Sequence, residues 1–98
     1  MLFATKLIES SGNRILNVCD PDLLDTTVKD EKSTVKISSS YYKEKMRDET
    51  EIEKLMKVCT SVNLVGENTV SLAIKCGLGT EKAIRRIQGV PFLIVFSM

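Results

Sequence analysis

The stretch Val65 to Leu78, V-G-E-N-T-V-S-L-A-I-K-C-G-L, constrains the fold more than any other part of the chain. Val70, Ala73 and Ile74 recur at helical spacing, Leu72 and Cys76 widen that face, and Ser71 and Lys75 mark an exposed side. Gly77 stands where a helix-ending glycine belongs, with Leu78 placed to close the end hydrophobically. The start of this element admits two readings. If Ser61 to Val65 is extended, Gly66 joins a strand to a helix, and the first amides of that helix are free to hold an anion. If Asn63 is the N-cap, the helix begins at Leu64 and Gly66 lies in its first turn against a close neighbour. The fold expectation takes the second, a helix over about 64–76.

The rest of the chain supplies strands and one more helix. Leu2 to Ile8 and Arg14 to Asp20 flank the turn cluster E-S-S-G-N, in which Gly12 and Asn13 suit positive φ, so the chain opens on a β-hairpin. Asp20-Pro21-Asp22 reads as the capped start of a short helix, with Asp20 as N-cap and Pro21 at the first position. Lys29 to Lys32 is a charged turn, and Ser33 to Ser38 alternates as a half-exposed strand with Val35 and Ile37 on one face. Tyr41 to Glu53 is a charged crossing into a helix over about 50–60, started by a capping box at Thr50 and Glu53 or by Asp48 and Glu51. Ile52, Leu55, Met56 and Cys59 form its apolar stripe. The run Phe92 to Phe96 closes the chain as a buried or central strand. At 98 residues these elements fit one domain, an α/β (α+β) unit: a small mixed sheet opened by the hairpin, two main helices packed on it, and a C-terminal apolar strand.

Several chemistries are excluded. The chain has no histidine, which removes His-dependent nucleophile activation and the common zinc ligand sets. Cys19, Cys59 and Cys76 are widely spaced among apolar neighbours and read as reduced, buried, structural thiols. Cys59 and Cys76 also fall near helix C-termini, where the dipole opposes ionisation. The carboxylates of Asp20 to Asp25 and Asp48 to Glu53 sit where helix starts want negative charge, and they lack the calcium-loop pattern. The glycines Gly66, Gly77 and Gly79 make neither a dinucleotide fingerprint nor a phosphate loop. No catalytic residue, cofactor or metal is expected, and the balance falls against an enzyme.

The candidate binding residues form three groups. Asn63, Gly66, Glu67 and Asn68 surround the helix start, where Glu67 would repel a phosphate unless it pointed aside. Lys82, Arg85 and Arg86, with Lys75 nearby, are the densest local basic cluster in a chain whose net charge is only +1. Tyr42, beside Tyr41, Lys43 and Lys45, offers an aromatic ring for stacking, and on a strand only one of the two tyrosines would be presented. The N-terminus lacks the pattern of a secretory signal, and no apolar run approaches the roughly 20 residues that span a bilayer, so a cytosolic protein without a membrane partner is expected.

A hairpin ending in Cys19-Asp20, Leu23-Leu24, a strand before Tyr42, the block Asn63 to Leu78 and the run I-R-R-I-Q-G-V-P from Ile84 to Pro91 together resemble the small archaeal proteins of domain-of-unknown-function family 424. The resemblance spans nearly the whole chain and is most specific from Asn63 to Leu78. It implies an archaeal, cytosolic, single-domain α/β protein without a settled activity. The family pattern carries a polar residue, often histidine, just after G-V-P; Phe92 stands there, so a role at that position does not carry over.

Three functional expectations follow. The first is a non-enzymatic binding or adaptor module that uses Lys82, Arg85 and Arg86 against RNA or an acidic protein, with a link to the translation apparatus as the guess the resemblance prompts. The second is a small-molecule or anion site around Gly66, Glu67 and Asn68. The third is a homodimer through the C-terminal strand, where Phe92, Ile94 and Phe96 alternate with Leu93 and Val95 and both faces need covering.

Overall fold

The computed structural model describes residues 1–96. Alternating side chains in the first twenty residues build β1 (Leu2–Ser10) and β2 (Asn13–Cys19), an antiparallel hairpin whose register runs from Ala4–Cys19 to Ser10–Asn13. Its turn places positive φ on Ser11 and Gly12, one residue earlier than the sequence suggested. A 3-10 turn at Pro21–Leu23 leads into β3 (Thr26–Lys29), and β4 (Thr34–Ile37) pairs back on it. The two form a separate ribbon, so the strand expected near Ser33 to Ser38 does not join the main sheet. Asp30 makes the turn between them by accepting hydrogen bonds from the amides of Lys32 and Ser33, both at 2.8 Å.

The charged stretch after Ser38 holds two elements beyond the expected crossing. The single-turn helix α1 (Ser39–Tyr42) is capped by Ser38, and β5 (Lys45–Asp48) pairs antiparallel with β1. β5 is a sheet edge, where Lys45 and Arg47 discourage further pairing; the same charges hid it in the sequence. Asp48 then caps α2 (Glu49–Val58) through the Glu51 amide at 2.9 Å, which selects the earlier of the two expected starts.

β6 (Ser61–Val65) runs parallel to β2, α3 spans Glu67–Lys75, and a 3-10 turn at Glu81–Ala83 leads to the terminal hairpin of β7 (Arg85–Ile87) and β8 (Val90–Phe96). The sheet order is β5-β1-β2-β6-β8-β7, with β2 and β6 its parallel neighbours. Asn63 therefore lies in a strand rather than at a helix N-cap. Residues 61–65 form a β-rich run pairing with Ile15–Cys19 on one side and Phe92–Phe96 on the other, and this ladder displaces the helical start at Leu64.

Two apolar layers sandwich the sheet. On one face Ile52 and Met56 of α2 and Val70, Leu72 and Ala73 of α3 pack on Phe3, Leu16, Val18, Val62, Leu64 and Leu93. On the other, Val28 and Ile37 of the ribbon cover Ala4, Cys19, Val65 and Ile87. β8 lies inside the sheet, as expected of an apolar strand, yet its ribbon-side face is covered only at its start, where Val90 and Phe92 pack against the second core. Leu93 is buried while Ile94 and Phe96 are 58% and 74% exposed. No helix among the described residues is long and apolar enough to cross a membrane.

Candidate functional site

The register that aligns Cys19 with Val65 makes Asp20 and Gly66 the next residues along neighbouring parallel strands. The Asp20 amide continues the ladder onto the Val65 carbonyl at 3.0 Å. Gly66 is the N-cap of α3 at φ 110° and ψ 156°, a conformation that L side chains avoid. A Cβ there would lie 2.7 Å from both Cβ and Oδ2 of Asp20. Gly66 is thus a packed contact rather than the wall of a pocket.

Lacking a side chain, Gly66 cannot cap its own helix, and Asp20 does so from the adjacent strand. Its Oδ2 accepts from the Asn68 amide at 3.1 Å and from Asn68 Nδ2 at 3.3 Å; its Oδ1 accepts from the Thr69 amide at 2.8 Å and Thr69 Oγ1 at 2.6 Å. Asp20 and Thr69 are both buried. The first turn of α3, open to an anion in the sequence reading, is filled by the protein's own carboxylate. The local role expected of Asp20 is corrected accordingly: the 3-10 turn at Pro21 receives no side-chain cap hydrogen bond.

Glu67 points aside from this contact and meets Arg86, whose Nη1 lies 2.5 Å from Glu67 Oε1 and 3.2 Å from the Gly89 carbonyl. The two sequence candidates that seemed separate are therefore joined at one place. Beneath the pair a cleft of about 760 Å³ opens between α3 and the segment 81–86. Val70, Ile74 and Ile84 form its floor, and Glu67, Arg86, Ser71, Lys75 and Glu81 its rim. Two acidic and two basic side chains on that rim cancel.

The other candidates lie elsewhere. On β7 successive side chains face opposite ways, so Arg86 reaches α3 while Arg85 donates to Ser33 Oγ at 2.6 Å on the ribbon side. Lys82 is exposed in the 3-10 turn and does not line the cleft. The basic cluster is thus split rather than presented as one patch. Asn63 donates through Nδ2 to Oδ1 of the buried Asn17 at 2.7 Å, and Asn17 donates to the Tyr41 carbonyl at 3.1 Å. The tyrosines sit on the turn of α1 rather than on a strand, with ring centroids 5.0 Å apart and planes at 62°. Tyr42 packs against the ribbon-side core and Tyr41 is the exposed ring; burial first, then Tyr41 and Cys19, pushes the Tyr42 hydroxyl up to about 12.

The cysteines differ from the uniform burial expected of them. Cys19 and Cys59 are buried, whereas Cys76 is exposed because it ends α3 beyond its last buried turn. Burial, reinforced by Asp20 and Asp22, pushes the Cys19 thiol up to about 12. Burial also raises Cys59, and partial burial followed by the Glu53 carboxylate raises Cys76.

Sequence reasoning missed the cleft because its floor residues were absorbed into the helix's apolar stripe, and the approach of Ile84 to α3 depends on the β7–β8 hairpin. A signal for that hairpin was present: Gln88-Gly89 between two apolar residues is a two-residue turn sequence.

Comparison with known proteins gives a family and a fold. No curated protein matches the sequence. A solved structure described as an uncharacterized conserved protein from Methanopyrus kandleri superposes with a TM-score of 0.82 at 23% identity, covering 98% of this chain and 91% of that one. At that identity the likeness carries the fold alone. The family model described as protein of unknown function (DUF424) matches residues 8–98, and the chain belongs to that family.

Proposed function

We propose that the protein is a non-enzymatic binding module that engages a protein partner in the cleft between α3 and residues 81–86. The observation that carries this reading is the apolar floor of Val70, Ile74 and Ile84 under a charge-balanced rim. An apolar centre inside a polar border is the arrangement of a protein contact surface. Enclosure burying most of a small molecule is lacking, since Glu67, Ser71, Lys75, Glu81 and Arg86 are all exposed. The Glu67 and Arg86 side chains are 64% and 53% exposed, so no carboxylate there has the dry surroundings that acid–base chemistry uses.

RNA is the weaker partner. Arg86 is paired with Glu67, Glu81 shares the rim, and Arg85 faces the ribbon. The cytosol suits three free thiols. A photo-crosslinking side chain placed at Ser71, with Thr27 as the control site, tests the proposal in extract of the native cells. The expected result is a discrete protein adduct at Ser71 that survives nuclease and is missing at Thr27. Nuclease-sensitive adducts, or the same adducts at both sites, would discard it.

A second reading, a homodimer through the uncovered end of β8, is favoured by the exposure of Ile94 and Phe96. Sedimentation at several concentrations tests it: a concentration-independent monomer mass rules it out.

A further inference from the structure

We infer that the partner enters the cleft as an extended segment that adds a strand to the outer edge of β7, with aliphatic residues turned toward α3 and an acidic residue between them. This rests on the cleft being the binding site.

The inference begins at the turn joining β7 and β8. Gln88 and Gly89 carry φ of 52° and 80°, so two residues close the hairpin. In such a hairpin the flanking residues Ile87 and Val90 are the hydrogen-bonded pair, and the next pair, Arg86 and Pro91, is not hydrogen-bonded. Pro91 agrees, having no N–H to give, and its carbonyl accepts from the Gly66 amide at 3.0 Å, on the side away from β7. Arg86 therefore directs both its N–H and its C=O outward. β7 has no strand beyond it among the described residues. A donor and acceptor thus face outward beside the cleft, the unit an added strand pairs with.

Side-chain direction supports the same placement. Ile84 and Arg86 both line the cleft, whereas Arg85 between them faces the ribbon. Residues of an added strand share the face of those they oppose. Those opposite Ile84 and Arg86 turn over Val70 and Ile74, and the one opposite Arg85 meets an exposed guanidinium. Charge then selects the occupant. A second, antiparallel copy of β7 paired through its outward-facing residue would bring Arg86 against its own counterpart, like charge opposite like charge. Nucleic acid would bring phosphate to Glu67 and Glu81. An extended peptide alternating aliphatic and acidic residues meets neither penalty.

The test selects a phage-displayed library of random peptides against the full chain and then N-methylates each amide of a selected peptide in turn. The expected peptides alternate aliphatic and acidic residues and shift the amide resonances of Ser71, Ile74, Ile84 and Arg86. Methylation of the one amide that donates to the Arg86 carbonyl is expected to weaken binding about tenfold, with the amides on either side of it tolerant. Arg85→Glu should exchange the preference for acidic residues for basic ones, and Ser71→Arg should block binding. Peptides that bind in the cleft yet tolerate methylation everywhere, or ignore Arg85→Glu, overturn the added strand and leave the cleft as a binding site. Peptides that shift only resonances elsewhere, or a library yielding no binder, overturn both.

Discussion

The carboxylate of Asp20 fills the space that a side chain on Gly66 would need, and from there it caps the helix that Gly66 begins. Glycine and aspartate at these positions require each other: the first leaves room, and the second supplies the hydrogen bonds the first cannot. Gly66→Ala is expected to destabilise the protein by about 3 kcal/mol, from backbone strain and a displaced cap. Asp20→Ala, which leaves the Asn68 and Thr69 amides without their acceptor, is expected to cost about 2 kcal/mol. Because both act on one contact, the double variant should lose less than the sum. Urea denaturation measures all three, and a Gly66→Ala protein as stable as the wild type would remove this account.

Glu67 and Arg86 form the closest ion pair of the cleft, but with more than half of each side chain in water its stabilising effect is small. A double-mutant cycle with Glu67→Gln and Arg86→Gln should give a coupling below about 0.5 kcal/mol that shrinks as salt is raised. A large, salt-insensitive coupling would make the pair a structural element rather than part of a rim open to a partner.

The thiols should separate by exposure. At mildly alkaline pH iodoacetamide is expected to modify Cys76 in the native protein, while Cys19 and Cys59 react only in denaturant. Cys19, held up to about 12, should be the last to yield. Mass spectrometry of peptides from a time course reads the order, and early labelling of Cys19 would contradict its burial.

Asp25 ties the end of the first 3-10 turn to α1 by accepting from the amide and hydroxyl of Ser39, each at 3.0 Å. The Ser39 amide, then its hydroxyl, holds the carboxyl below its ordinary 3.8. A folded-state value below the unfolded one gives stability that is complete above 3.8 and lost as pH falls through the lower folded value. Asp25→Asn, which keeps a residue tolerant of the φ of 62° found there, should therefore be less stable than wild type near neutrality. The two should converge in acid; a difference that stays constant into strong acid would exclude this carboxylate as its source.

Elements whose signal is local were legible in the sequence. The opening hairpin, the stripe of Ile52, Leu55, Met56 and Cys59, and the apolar run of β8 each carry their own periodicity; the structure forms all three and packs the whole stripe on the core, with the helix ending at Val58 so that Cys59 is its C-cap. What failed depended on partners far along the chain. Asp20 looked like a cap for Pro21 because its true acceptor role lies 48 and 49 residues away. Asn63 looked like a cap because the two strands that hold β6 cannot be read from residues 61–65. β5 was hidden by the charges that suit it to an edge. For the site, Glu67 and Arg86 were both singled out, but only the terminal hairpin brings them together.

The cap that Asp20 gives α3 also bears on the order of assembly. A helix of nine residues has little stability by itself, and this one receives its N-terminal hydrogen bonds only after β2 lies beside β6. The hairpin closes through neighbours in sequence and can form early, whereas the first turn of α3 must wait for a contact spanning half the chain. The Asn68 and Thr69 amides thus act as clocks for that docking. In pulse-labelled hydrogen exchange they should gain protection with the β2–β6 ladder, and protection arising before it would mean that α3 nucleates without its borrowed carboxylate.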